Sequence, residues 1–384
     1  MTAPRLEIDL DKVWHNARTL VDRLAGKGIT VTGVTKATLG SPSVARAMRR
    51  GGVVGLADSR VENLARLRLG QDSASEEGSG PLTLLRSPMG SQIEDVVQTA
   101  DVSCNTELVI IDRLNAAAAR HHRSHGVLLM VELGDLREGV AVDDVLDVVR
   151  ATLRCSNLTL AGLGTNLACR SGVVPDDGNM AQLSILVDAV EATFGIEVGL
   201  VSGGNSANLD WALGTASTHR INNLRLGEAV LMGREPLHRR PVEGLHLDAI
   251  TLVAEVIESK RKPTQPWGDL ARSAFGDPAG LGEHGELAIR QPDHAGQLVR
   301  AAPGSGFRVW QSILALGRQD VDPAGLAPPR GCQVVDASSD HLIVVGEPAG
   351  LAVGAEMVFG LDYSALLRAM TSPFVAKVFR GVDS

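Results

Sequence analysis

Eight short apolar runs recur through the first two thirds of the chain: Val31–Thr35, Val53–Ala57, Leu82–Leu85, Val102–Asn105, Val127–Leu133, Leu158–Thr165, Glu197–Ser202 and Ile221–Leu226. Each is followed by a polar or helically periodic stretch, among them Ser43–Arg50, Arg60–Leu69, Glu94–Ala100, Glu107–His121 and Met180–Phe194. Apolar positions three and four apart predict amphipathic helices, and short apolar runs bounded by turns predict buried strands. Strands alternating with helices imply parallel pairing through right-handed crossovers. Eight such units predict a (β/α)8 TIM barrel. An open doubly wound sheet is the alternative, because the pattern does not show closure, and no glycine-rich dinucleotide fingerprint follows the first strand.

The texture changes near Arg234-Glu235-Pro236. Beyond it the runs His246–Glu258, Ser312–Leu316, Gln333–Val335, Leu342–Val345 and Glu356–Leu361 are strand-like, with glycine and proline between them. The expected organisation is therefore a barrel over residues 1–240 and a C-terminal β-rich domain over 241–384, with a short N-terminal segment packing on the second domain. Gln71–Gly80 and Asp277–Arg308 are polar stretches that predict inserted loops, and the second is a candidate lid.

Polar residues cluster just past the barrel strands, where barrels carry their chemistry. Lys36 follows the first strand, Asp58-Ser59-Arg60 the second, Arg86 the third and Asn105 the fourth. Arg137 follows the fifth, Asn166 the sixth and Ser202-Gly-Gly-Asn-Ser206 the seventh, while Arg225-Leu-Gly-Glu228 ends the eighth. Lys36 is the most informative of these. An amine partly withdrawn from water loses its proton more readily and attacks carbonyls. A strand-end lysine reaching solvent is the plainer alternative.

Composition narrows the class. The net charge of −8 gives no basic stripe for nucleic acid. The four cysteines are far apart and lack metal-ligand spacing, so free thiols and a reducing, cytoplasmic setting are expected, with no metal. The first ten residues lack a signal-peptide core, and no apolar run is long enough to span a bilayer.

Seven strings carry a family resemblance: Ala57–Asn63, Glu132–Gly139, Gly162–Leu167, Ser202–Ser206, Asn223–Glu228, Ala337–His341 and Leu366–Pro373. With the lysine after the first strand and the β domain after the barrel, the chain resembles fold-type III pyridoxal-phosphate enzymes of the alanine racemase family. It is most similar to their ornithine racemase branch. The resemblance implies pyridoxal 5'-phosphate as cofactor, bound to Lys36 as a Schiff base, with Lys36 also the general base on one face of the substrate Cα. Arg225 would lie opposite the pyridine nitrogen. An arginine keeps its proton, so the ring becomes a weaker electron sink and transamination is discouraged. Outside the resemblance, Arg225 could equally be a strand-end ion pair with Glu228 or another carboxylate.

Small residues, amides and hydroxyls suit phosphate. The resemblance assigns that role to Ser202, Gly204, Asn205, Ser206, Gly227 and Glu228, with Tyr363, the only tyrosine, reaching the phosphate from the second domain. Arg137 would lie near the cofactor phenolate and the substrate carboxylate, or else pair with Glu132 or Asp135. Asn166 stands where alanine racemases have a histidine, able to hydrogen-bond the pyridine-facing arginine but not to share a proton with it.

One departure matters. Alanine racemases place a tyrosine on the opposite face from the lysine, donated by the partner subunit. The corresponding stretch here, Pro263–Gly268, has Trp267 instead, which cannot transfer a proton. Candidates for the second base are Cys169, Asp340 and His341; a thiol is a competent proton carrier. Ser339, Asp320, Asp322 and Asp340 could bind substrate, the carboxylates receiving a distal ammonium, which agrees with ornithine or another basic amino acid. The expectation is a homodimeric amino-acid racemase with shared sites. A lyase on the same fold and a non-catalytic cofactor-binding protein are the alternatives.

Overall fold

The computed structural model describes residues 2–72, 80–263, 288–289, 299–300, 308–346 and 351–381. Trp267, most of the Gln71–Gly80 insertion and nearly all of the Asp277–Arg308 candidate lid lie outside them. Two compact units form: one from Asp9–Ala249 with the stretch from Phe379, the other from the segment ending at Ile8 with Ile250–Val378.

In the larger unit, eight parallel strands close into a barrel. In chain order they are Thr30–Val34, Gly55–Asp58, Leu82–Leu84, Val102–Asn105, His125–Met130, Leu158–Gly164, Leu200–Ser202 and Asn223–Leu226. Closure is made by the first strand on the eighth, with Thr30 opposite Asn223 and Gly33 opposite Leu226. Gly55–Asp58 and His125–Met130 are buried at every position. A strand covered by side chains inside and helices outside has no wet face, so it reads as a continuous run rather than an alternation. The helices are held at defined starts. Asp9 accepts from the Lys12 amide at 3.0 Å to cap Leu10–Ala25. Pro42 opens Pro42–Arg50 behind a Ser41 cap, and Asp176 with Asn179 forms a capping box on Asp177–Phe194.

Residues Arg234–Ala249 stay with the barrel, which moves the junction past the expected residue 240. The reason is the buried side chain of Asn16. Its amide nitrogen donates to the Val230 and His246 carbonyls, and its oxygen accepts from the His246 amide at 2.7 Å.

The second unit is an antiparallel sheet whose spine is the long strand Ile250–Pro263. It pairs with Arg308–Leu314, with Glu356–Leu361 and with the N-terminal strand, where Arg5 lies opposite Val253. Arg5 donates to both Glu7 and Glu356, joining strands that flank Ile250–Pro263. The helix Tyr363–Thr371, capped by Asp362, follows the sheet. No described helix is long and apolar enough to cross a membrane.

Inside the barrel Leu128 packs with Cys104 and Met130, all at most 2% exposed. Truncating Leu128 to alanine is expected to lower unfolding free energy by about 2–5 kcal/mol, through lost burial plus the cavity left behind. Urea unfolding followed by circular dichroism measures it; a loss under about 1 kcal/mol contradicts a tightly filled barrel.

Candidate active site

Lys36 stands one residue beyond Thr35 at the end of the first strand and opens a single 3-10 turn, Lys36–Thr38. It is half-buried, and among the described residues its ammonium has no hydrogen-bond or ion-pair partner. The turn ends with Leu39 and Gly40 both in the left-handed region, at φ 53° and 62°. A Cβ on Gly40 would lie 2.8 Å from the Asn63 backbone oxygen, so only glycine closes this turn.

Beside it, Asp58 is fully buried at the end of the second strand. It accepts from the Thr35 hydroxyl at 2.8 Å, the Asn63 amide at 3.0 Å and the Arg60 backbone at 3.1 Å. Burial pushes its carboxyl up from the ordinary value, against the downward pull of Asn63, Thr35 and Arg60. No role was assigned to Asp58 from the sequence; an aspartate inside an otherwise apolar strand end was the available signal.

Arg225, on the strand adjacent to that of Lys36, is 6% exposed. It donates to the Ser202 hydroxyl and, at 2.7 Å, to the Thr165 carbonyl. Neither is a carboxylate, and burial lowers its pKa from the ordinary arginine value. The ion pair with Glu228 does not form: Glu228 pairs with Arg239 instead. Nor does Asn166 bond Arg225. The Asn166 oxygen accepts from Asn205 at 3.1 Å, and its buried amide nitrogen has no partner among the described residues.

Ser202 corrects the expected phosphate set. Its hydroxyl is spent on Arg225 and on Asn223, to which it donates at 2.9 Å, so it orients the guanidinium. The rest of the seventh-strand loop is tightly folded. Gly204 has φ 144°, and a Cβ there would lie 2.2 Å from Asn208 Oδ1. Ser206 accepts the Ala229 amide at 3.2 Å, which ties this loop to Gly227-Glu228 at the next strand end. A Cβ on Gly227 would lie 3.0 Å from Val34 Cβ, closer than ordinary van der Waals contact.

Cys169 is exposed on the loop after the sixth strand. Its sulfur accepts from the Asn205 amide at 3.4 Å. The loop is pinned by Asp135, 1% exposed, which receives the amides of Cys169, Arg170 and Ser171 at 3.0–3.2 Å. Burial raises the Asp135 carboxyl, but these amides outweigh it and hold it below the ordinary value. The sequence offered Asp135 only as a partner for Arg137; instead Arg137 pairs with Glu138, and Glu132 accepts the Gly134 and Leu136 amides.

The remaining candidates belong to the second unit. Asp320 is buried and spent on the Gly317 amide and Ser372 hydroxyl, at 3.0 and 3.1 Å. Asp322 caps Pro323–Gly325 and accepts from Ser364 at 2.6 Å. Burial and these internal donors leave Asp320 no open face for a distal ammonium, while Asp322 is half-buried with one donor on each oxygen. Asp340 is exposed, hydrogen-bonded to His341 Nδ1 at 2.8 Å and to Ser339, and these contacts, His341 first, hold its carboxyl below the ordinary value. Tyr363, half-buried, begins the helix Tyr363–Thr371.

The chain matches a family model described as the alanine racemase N-terminal domain over residues 8–235. It is 33% identical to the lysine racemase of Thermotoga maritima over 99% of both chains. It is 32% identical to the ornithine racemase of Acetoanaerobium sticklandii, over 97% of this chain and 99% of that one. The alanine racemase structure from Clostridium difficile 630 superposes with a TM-score of 0.69 at 16% identity, covering 100% of this chain and 97% of that one.

Proposed function

Because the chain belongs to the alanine racemase family, and so is a pyridoxal-phosphate-dependent amino-acid racemase, we propose that it interconverts the L and D forms of a basic amino acid, ornithine first. The site supports holding that cofactor. A half-buried lysine amine, and, among the described residues, a buried Asn166 amide nitrogen without a partner and a buried arginine without a carboxylate lie at the ends of strands one, six and eight.

Arg225 is the observation that carries the reading. Among the described residues its hydrogen bonds go to neutral oxygens, and a guanidinium keeps its proton, so it would donate to a neutral ring nitrogen and not protonate it. Pyridoxal phosphate, when bound, makes the substrate Cα–H acidic by taking up the released electron pair. Lys36 Nζ then removes the Cα proton from one face, and Cys169 Sγ–H returns one to the other; the reverse reaction exchanges their roles. Asn205 and Asp135 hold Cys169 in place, Ser202 holds Arg225, and Ser206, Gly204 and Gly227 form the phosphate cradle. Arg137 receives the substrate carboxylate. Asp340, the exposed member of its group, is the proposed partner for a distal ammonium. The assembly is a homodimer with shared sites.

Deuterium exchange at Cα of L-ornithine, L-lysine and L-alanine tests the substrate. One charge-assisted hydrogen bond contributes about 1.5–3 kcal/mol, so the basic amino acids are expected to exchange at least about tenfold faster than alanine. Alanine exchanging as fast as ornithine rejects the basic substrate while leaving the racemase chemistry in place.

A further inference from the structure

We propose that Asp58, acting through Thr35, is a positioning residue that holds the Lys36 amine in its reactive direction; this rests on the reading of Lys36 given above. Thr35 and Asp58 are both fully buried. Thr35 is the residue on which the lysine turn hangs. Its amide donates to Ala57 at 2.9 Å, and its carbonyl receives the Thr38 amide at 2.8 Å, the Thr38 hydroxyl at 3.0 Å and the Gly40 amide at 3.3 Å. Its hydroxyl is the link from this turn to Asp58.

Asp58 carries the other half of the clamp. The Thr35 hydroxyl, the Asn63 amide and the Ser59 and Arg60 backbone amides that face its oxygens are all donors, so the carboxylate serves as an acceptor. Asn63, fixed on Asp58, packs its backbone against Gly40 at the far end of the turn. Arg66, one helical turn on, donates to the Leu39 carbonyl and to Asn63 Oδ1. The turn that bears Lys36 is therefore gripped at both ends by residues 58–66 of the next βα unit: Asp58 holds Thr35 directly and reaches the far end through Asn63, while Arg66 holds Leu39 beside it. A reactive group held by its neighbours reaches its target without the entropy loss of an unrestrained side chain.

The test is the rate at which the apo protein takes up pyridoxal phosphate covalently. In that step the Lys36 amine adds to the aldehyde carbon, a C=N bond replaces C=O, and the oxygen leaves as water. Borohydride trapping and the visible absorbance band read it. Pyridoxine 5'-phosphate, which has an alcohol in place of the aldehyde, reports binding without attachment. Thr35→Val is expected to slow attachment about tenfold or more while pyridoxine phosphate affinity stays within about twofold. Thr35→Ser, which restores the hydroxyl, is expected to recover the rate. Asp58→Ala should match Thr35→Val, and the double variant should be no slower than the slower single, the mark of one shared interaction. Wild-type attachment in Thr35→Val, an equal loss of pyridoxine phosphate affinity, or failure of serine to rescue each overturns the proposal. Should Asp58→Ala not fold, the valine and serine pair decides alone. Lys36→Ala, run beside them, must abolish attachment; if it does not, the reading of Lys36 fails, and that failure is distinct from an Asp58 that merely supports the fold.

Discussion

Replacing Lys36 with alanine will abolish the visible absorbance band of the cofactor-loaded protein and lower racemisation by about four orders of magnitude or more. A positioned general base contributes about 10²- to 10⁴-fold by itself, and this lysine is assigned covalent attachment of the cofactor as well. The fold is expected to survive. The side chain is half-buried and makes no hydrogen bond or ion pair among the described residues. The turn around it is closed by backbone bonds and by Thr35 and Thr38, none of which uses the lysine amine. Circular dichroism, the absorbance spectrum and D-ornithine formation together check the expectation. A variant that keeps the band, or keeps activity within about tenfold of the parent, removes Lys36 from the mechanism.

Where the sequence spoke clearly, it did so through period and punctuation. The barrel strands were legible because parallel strands buried on both faces leave unbroken apolar runs such as Val127–Leu133, which overlaps the observed His125–Met130. Closure was not legible. It rests on a ladder between residues almost two hundred positions apart, Thr30 and Asn223, and no local pattern encodes such a pairing. The domain junction was misplaced for a similar reason: Asn16, far upstream, decides that residues 234–249 stay with the barrel.

At the site, identity was legible and partnership was not. Lys36, Arg225 and Asn166 announced themselves as polar residues at the ends of apolar strands. Which oxygen each would meet depended on neighbours from other strands. Ser202 looked like a phosphate ligand, yet its hydroxyl sits between Arg225 and Asn223. Asp320 looked like a loop carboxylate open to an ammonium, yet it is buried on the Gly317 amide and the Ser372 hydroxyl. A carboxylate in a glycine- and proline-rich stretch reads as solvated because sequence carries no measure of burial. Asp58 shows the converse. It stands in the Ala57–Asn63 string with no chemistry apparent from its neighbours in sequence, and only its donors tie it to the lysine turn.

The second large effect is expected at Cys169, and it is asymmetric. Lys36 and Cys169 follow the first and sixth strands of a closed eight-strand ring, so they leave the rim three strands apart, with the arginine strand and the Asn205 loop between them. Two proton carriers so separated suit a reaction that must reach both faces of one carbon. Cys169→Ala then removes one carrier and leaves the other. Conversion of L- to D-ornithine should fall by about 10²- to 10⁴-fold. Exchange of the Cα hydrogen with solvent deuterium, started from the enantiomer whose proton Lys36 removes, should persist near the parental rate and yield the same enantiomer, labelled. The cofactor band should be unchanged, because Cys169 is assigned no part in holding it. Loss of exchange from both enantiomers would show that the loop pinned by Asp135 and Asn205 is needed for binding and not for proton return. Full racemase activity in the variant would move the second proton carrier off the barrel, to Asp340 or His341, and the paired variants Asp340→Asn and His341→Gln would then carry the same asymmetric signature.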